Sequence, residues 1–134
     1  MSIRLVVVCA AASLIGSAAL AQGLPEVKVV ATRVVSSTIS AKTAGRTASG
    51  IPIKDISLSY SVSSEGLNLA TSSGALAFEQ RVKGAAEQAC KEIGYQHPEA
   101  TPGDAECARV AADQALAKVH ELVAAAVKST SAAK

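Results

Sequence analysis

Residues 89–107, ACKEIGYQHPEATPGDAEC, place two cysteines on either side of a segment that contains two glycines and two prolines. Glycine and proline mark helix ends and turns, so the segment predicts a short connection between two helices. Cys90 would lie in the last turn of the first helix and Cys107 in the first turns of the second. In an antiparallel helical hairpin those two positions face each other at the closed end. The stretch therefore predicts a hairpin that brings two sulfur atoms together.

The sequence before this segment has the periodicity of a helix. Apolar residues recur every three or four positions from Ala75 to Ile93, which places them on one helical face. Thr71 or Ser72 can cap the start of this helix, because a hydroxyl there accepts a hydrogen bond from a free backbone N–H. Gly94 stands where a left-handed C-terminal cap is common, so we expect the helix to end there.

A second helix is predicted after the loop. Thr101 followed by Pro102 is typical of a cap residue and the first helical residue. Alanine, valine and leucine then recur at spacings of three and four over residues 112–126. We expect this helix to run to about Val127 and residues 129–134 to form a disordered tail.

Two segments before the first helix favour strands. Over residues 56–62, apolar side chains alternate with serines, a period of two that gives one apolar face. Residues 27–35, VKVVATRVV, predict a possible edge strand inside a segment, 22–50, whose remainder is rich in Ser, Thr, Ala and Gly and is typical of a flexible linker. Residues 67–69, LNL, fit either a second short strand or an extended lead-in to the helix.

The N-terminus has the organisation of a secretory signal peptide. Arg4 precedes an almost wholly apolar stretch, and small residues at Ala19 and Ala21 form an Ala-x-Ala cleavage pattern. The apolar stretch is shorter than the roughly 20 residues that a membrane span needs. We therefore expect residues 1–21 to be removed, with cleavage between Ala21 and Gln22, and the chain to be periplasmic or secreted.

The cysteine count favours a disulfide. Of the three cysteines in the chain, one lies in the predicted signal peptide, which leaves Cys90 and Cys107 in an exported protein. Two other interpretations stay open. A metal site using both thiolates and His97 lacks the short paired ligand spacings of known zinc sites, and a catalytic thiol lacks the Cys-x-x-Cys motif. We expect a disulfide, no metal and no cofactor.

Composition and motifs exclude several classes of function. The chain carries 13 Lys and Arg against 11 Asp and Glu, with two Tyr, one Phe and no Trp, so it has neither the basic surface nor the aromatic residues of nucleic-acid binding. The sequence contains no Gly-x-Ser-x-Gly, phosphate-binding glycine loop or His-Glu-x-x-His motif. We expect no catalytic residues and no enzyme activity.

The order of elements resembles the UrcA family of small exported bacterial proteins. LNLAT leads into a helix containing RVKGAAEQAC, followed by a proline-containing loop, Cys107 and an alanine-rich helix. The resemblance covers about residues 50–126. Where that family tends to have Tyr-x-Asp-Leu-Asp-Leu, this chain has SEGLNL over residues 64–69, so a role for that Tyr and Asp would be lost here. The resemblance implies export and two cysteines, and it supplies no biochemical activity that could be carried over to this chain.

Taken together, these features predict an α+β fold. One or two short strands would pack beside a disulfide-linked antiparallel helical hairpin, as a domain over residues 51–128 after a flexible N-terminal segment. We expect an exported, non-enzymatic binding or structural protein of the bacterial envelope, with an envelope partner or self-association and no transmembrane span after signal removal. The alternative is a periplasmic metal-handling protein that uses Cys90, Cys107 and His97.

Overall fold

The computed structural model describes residues 23–36, 45–46 and 52–133 and has an α+β fold. An antiparallel sheet packs one face against two long helices. The elements in chain order are β1 Glu26–Ser36, β2 Gly45–Arg46, β3 Pro52–Ser63, α1 Ser72–Gln96 and α2 Asp104–Ala132. The predicted signal peptide and its cleavage site at Ala21 and Gln22 lie outside the described residues.

The sheet consists mainly of one long antiparallel pair. β1 and β3 are in register along their whole length, from Glu26 opposite Ser63 to Ser36 opposite Ile53. The two-residue β2 pairs with the start of β3, which gives the order β1-β3-β2. Directly opposite residues share a face, so the apolar positions of β3 join the odd-numbered positions of β1 above the core, and the serines of β3 lie on the exposed face.

The domain begins earlier in the chain than the sequence predicts. The predicted boundary at residue 51 leaves residues 22–50 outside the domain, whereas β1 lies within that segment and supplies buried side chains to the core. Val27, Val29 and Ala31 are at most 2% exposed. β1 is an edge strand, as expected, yet its inner face covers the core because it is rich in β-branched residues at alternating positions. The other residues of the predicted linker, except Gly45 and Arg46, lie largely outside the described part.

Helix α1 begins as predicted and ends later. The hydroxyl of Thr71 accepts a hydrogen bond of 3.2 Å from the backbone N–H of Gly74, which confirms Thr71 as the N-cap. Gly94 is not a C-terminal cap, because the helix continues through it to Gln96. The capping residue is His97, whose backbone N–H donates to the carbonyl of Ile93 at 2.8 Å.

Helix α2 begins later than predicted and ends later. Its N-cap is Gly103, because the backbone of Thr101 is paired with Val34 of β1 through two hydrogen bonds of 2.7 and 2.9 Å. The helix continues through the predicted tail to Ala132. The last turn is held in part by hydroxyl groups, since Ser129 and other side chains there donate to carbonyls one turn earlier.

The core is a single layer of small and medium side chains between the sheet and the hairpin. Its largest fully buried members include Phe78 and Val82 of α1, Val119 of α2 and Val29 of β1. Residues 67–69 form a turn-like lead-in rather than a second strand, and Leu69 is buried. Neither helix of the described residues combines the length and the apolar character needed to cross a membrane.

Candidate functional site

The two predicted site cysteines are joined at the closed end of the hairpin. The sulfur atoms of Cys90 and Cys107 form a disulfide, with 5.9 Å between the Cα atoms and 17 positions between them in sequence. Both residues are almost fully buried. The bond ties the last two turns of α1 to the first turn of α2, which confirms the predicted disulfide and the predicted register of the hairpin.

The third residue of the metal-handling alternative lies close to the disulfide in sequence. His97 caps the C-terminal end of α1, and its Nδ1 is 3.7 Å from a carboxylate oxygen of Glu99. The two sulfur atoms are bonded to each other, so they offer no thiolate to a metal. Among the described residues there is no group of three or more His, Cys, Asp or Glu side chains arranged to hold a metal ion.

A buried arginine stands beside the disulfide. Arg33 of β1 is only 3% exposed, because it occupies an inward-facing position between Ala31 and Val35. A buried guanidinium is costly unless hydrogen-bond acceptors replace the water that it loses. Arg33 therefore needs acceptors from the helices that cover it.

The hairpin supplies those acceptors from the region of its loop. Nε of Arg33 donates to the carbonyl of Pro102 at 2.6 Å and Nη2 donates to the carbonyl of Ala100 at 3.0 Å. Nη1 donates to the carbonyl of Cys90 at 3.2 Å and to Oδ1 of Asp104 at 2.7 Å. Because the planar guanidinium binds both helices and the loop between them, it connects the disulfide end of the hairpin to β1.

Gly94 leaves room for this arginine. A Cβ atom at Gly94 would collide with the carboxylate of Asp104 and with Nη1 of Arg33. Gly94 therefore allows the side chains of Arg33 and Asp104 to approach α1 closely, and it does not terminate the helix. Gly84, in contrast, has nothing within 4 Å of the position that its Cβ would occupy.

A second arginine holds the start of the hairpin. Nη1 of Arg81, on α1, donates to the carbonyl of Ser63 at 3.2 Å and to that of Glu65 at 2.9 Å. The first carbonyl belongs to the last residue of β3 and the second to the turn that follows, where Gly66 adopts a φ of +75° that favours glycine. The turn between β3 and α1 is thus fastened to α1 through its backbone.

An open groove lies between the two helices. Its volume is about 530 Å³. Ten residues of the described chain line it, of which four are apolar and six are charged. The apolar residues form the floor and all belong to α2: Ala105, Ala108, Ala112 and Leu116. Because three of the four are alanines, the floor is shallow enough for another backbone to approach closely.

The charged residues form two rims of opposite pattern. Along α1, Lys83, Glu87 and Lys91 alternate positive, negative, positive. Along α2, the order of signs is reversed, and the rim residues are Asp113, Arg109 and Asp104. The hairpin is antiparallel and the disulfide joins residues 90 and 107, so each rim residue of α1 lies at nearly the same height as one of opposite sign on α2.

In the part of the chain that the structure describes, the charges of the two rims do not pair with each other across the groove. Among the ion pairs of 4.0 Å or less in the described residues, none joins the α1 rim to the α2 rim. Arg109 instead pairs along its own helix, at 2.6 Å with Glu106 and at 3.1 Å with Asp113. The hydrogen bond from Arg109 lowers the pKa of Glu106 below its ordinary value.

A smaller cleft lies between β3 and α1 on another side of the hairpin. Its volume is about 100 Å³, and Ile56, Leu58 and Glu92 are among its lining residues. Next to it, the phenol of Tyr60 donates to a carboxylate oxygen of Glu92 at 3.3 Å. Loss of hydration raises the pKa of Tyr60, and the negative charge of Glu92 adds to the effect.

Sequence reasoning found the disulfide and missed Arg33 and the groove. A signal for Arg33 was present, since alternation along residues 27–35 places it on the same face as Val29 and Ala31. Its acceptors lie 57 to 71 positions away in sequence, so no local pattern indicates them. The groove depends on the separation of two helices, which no periodicity encodes.

Comparison of the chain with protein-family models, curated proteins and solved structures finds no match.

Proposed function

We propose that this chain is an exported, non-enzymatic binding or structural protein of the bacterial envelope, and that the groove between α1 and α2 is its binding surface. The observation that carries the proposal is the groove itself: a floor of small apolar side chains bounded by charged residues on both sides. Apolar area at the centre with polar groups at the rim is the organisation of a protein-binding surface.

The disulfide supports the proposed compartment. Disulfides persist in oxidising compartments such as the periplasm and the extracellular space, and they are rare in the cytosol. The signal peptide expected over residues 1–21 would bring the chain there. Export and cleavage can be tested together by measuring the intact mass of the protein recovered from the envelope fraction, where we expect a chain that begins at Gln22.

We also propose that the chain is a member of the UrcA family. The residues that carry the resemblance have structural positions that support this proposal. Val82 and Ala86 are fully buried, Arg81 fastens the turn after β3, and Cys90 and Cys107 are joined. A motif of this kind maintains the fold, and the choice of binding partner then depends on the exposed faces.

A substitution in the groove floor tests the proposed function. The side chain of Arg at position 108 would stand over the floor, so Ala108→Arg should abolish saturable binding of the full chain to its target. The targets to be assayed are peptidoglycan sacculi, vesicles of extracted envelope lipid and the protein itself. The control is Ala117→Arg, which makes the same substitution at an exposed alanine of α2 that does not line the groove.

The assay also shows when the proposal fails. Both variants should keep the far-ultraviolet circular dichroism of the unmodified chain, so that a lost signal reports the groove and not unfolding. Binding that survives Ala108→Arg would rule out the groove. A specific catalytic turnover that a single side-chain change abolishes would rule out a non-enzymatic role.

A further inference from the structure

We propose that the groove receives a second copy of this chain, and that two hairpins stack face to face as a four-helix bundle. The inference rests on the proposed function, since it takes the groove to be the binding surface and names its occupant. It is carried by the charges on the two rims, because their alternation determines which partner and which symmetry avoid like-charge contacts.

The register of the hairpin sets the height of each rim charge. With residues 90 and 107 opposite each other, Lys83 lies level with Asp113, Glu87 with Arg109, and Lys91 with Asp104, each within about two residues, or roughly 3 Å of helical rise. All six side chains line the groove. At each of three levels, therefore, the groove has one charge of each sign.

A two-fold axis parallel to the helices converts this arrangement into contacts between copies. Such an axis places α1 of one copy over α2 of the other, antiparallel and at the same height. Lys83 then meets Asp113 of the second copy, and Glu87 meets Arg109 of the second copy. Every rim contact joins opposite signs, and each occurs twice because the interface is symmetric.

The other simple two-fold arrangement gives the reverse result. An axis across the helices, centred at Glu87, would place α1 over α1 of the second copy. Glu87 would then face Glu87, and Lys83 would face Lys91. Like charges that face each other at an interface weaken association, so the alternating rims select the parallel axis and disfavour the perpendicular one.

The dimensions of the hairpin suit such an interface. Helix α1 has 25 residues and is therefore about 37 Å long. Two helices packed about 9–10 Å apart present a face roughly 20 Å wide, so each copy would cover roughly 700 Å². That area is close to the roughly 800 Å² per partner of a stable protein complex. The half-buried Leu116 and the alanine floor would lie at its centre.

A charge-swap experiment on the full chain tests the inference. Sedimentation equilibrium should give twice the mass of one chain. Glu87→Lys and Arg109→Glu should each weaken self-association by roughly tenfold or more, since each creates two like-charge contacts. The double variant carrying both changes should restore it. The control Glu121→Lys alters the net charge as Glu87→Lys does, on a part of α2 outside the groove, and should leave association unchanged.

Cross-linking locates the interface independently. A mixture of ¹⁴N- and ¹⁵N-labelled chains treated with a zero-length carbodiimide should yield a mixed-isotope link between Lys83 and Asp113. A chain that sediments as a monomer up to millimolar concentration would overturn the inference, as would a dimer that Glu87→Lys and Ala108→Arg leave intact. Mixed-isotope links confined to other residues would also overturn it.

The two proposals fail in different ways. A monomer whose binding to sacculi or lipid vesicles is lost in Ala108→Arg would refute the second copy as the occupant and leave the groove as the binding surface. A dimer that also carries out a specific catalytic turnover would support the second copy as the occupant of the groove and would refute the non-enzymatic function.

Discussion

Arg33 and Asp104 are 71 positions apart in the sequence, and Nη1 of the arginine lies 2.7 Å from Oδ1 of the aspartate. The arginine is 3% exposed, whereas the aspartate is 53% exposed. The pair joins the inner face of β1 to the first residue of α2, next to the disulfide. The fold of this small domain thus depends on a buried cation as well as on its apolar core.

Replacement of Arg33 should destabilise the protein strongly. Arg33→Met keeps most of the apolar length and removes all donors, which leaves the carbonyls of Ala100 and Pro102 without them. Buried acceptors that lose their partners cost about 1–3 kcal/mol each, so we expect a loss of about 3 kcal/mol in the free energy of unfolding, measured by urea denaturation. The exposed Asp104 adds less, because water can solvate it.

A conservative substitution and a second arginine serve as controls for Arg33. Arg33→Lys should also lower the free energy of unfolding, because an ammonium group cannot donate hydrogen bonds in four directions within one plane. Arg81→Met, which removes an exposed arginine that donates to two carbonyls, should cost no more than about 1 kcal/mol. Equal losses at the two positions would contradict the structural role given to Arg33.

The glycines of α1 should respond in opposite directions to the same substitution. Gly84→Ala should raise the free energy of unfolding by about 0.5–1 kcal/mol, because its methyl group meets open space and alanine favours a helix. Gly94→Ala should lower it, because the methyl group would collide with Arg33 and Asp104. Gly74→Ala should lower it as well, since the methyl group would meet the backbone of Asn68. Stabilisation by Gly94→Ala in urea denaturation would show that Arg33 lies elsewhere.

Reduction of the disulfide should cost about 3 kcal/mol, the loop-closure entropy for the 17 positions that separate the cysteines. The measurement is the urea midpoint with and without dithiothreitol. The double variant Cys90→Ala with Cys107→Ala should be as unstable as the reduced protein and indifferent to dithiothreitol. If complete reduction, shown by alkylation of both thiols, leaves the midpoint of the unmodified chain unchanged, the disulfide does not stabilise the fold.

The two faces of β1 provide a matched test of its place in the domain. Val29 is fully buried and Val30 is 40% exposed on the opposite face. Val29→Ala should lower the free energy of unfolding by about 2–3 kcal/mol, from lost burial and the cavity left behind. Val30→Ala should change it by less than about 0.5 kcal/mol. Equal and small effects at both positions would mean that β1 does not cover the core.

The carboxyl group of Glu106 should titrate below its ordinary pKa of 4.5, mainly because Arg109 donates hydrogen bonds to its ionised form. A lowered folded-state pKa means that the contribution to stability is present above the unfolded pKa and is lost as pH falls through the folded value. Carbon-detected NMR titration should show the pKa returning upward in Arg109→Gln. Titration that is identical in the two proteins would exclude this hydrogen bond in solution.

The sequence predicted the hairpin more fully than the sheet. The interval between Cys90 and Cys107 indicated both the disulfide and the antiparallel register, because helical periodicity on both sides left only a short loop between them. The serine alternation indicated β3 for a similar reason. The helix ends were predicted less well: Gly94 looks like a cap because glycine commonly ends helices, and here a side-chain collision accounts for it instead.

What the sequence determined by itself was local, and what the tertiary structure decided depended on residues far apart in the chain. Periods of 3.6 and 2 and the spacing of two cysteines are properties of neighbouring residues, so α1, α2, β3 and the disulfide could be derived from them. The inclusion of β1 in the core, the burial of Arg33 and the shape of the groove required the sheet and the hairpin to be packed together. A charge can be buried only where acceptors surround it, and those of Arg33 are brought within 3.2 Å only by the folded chain.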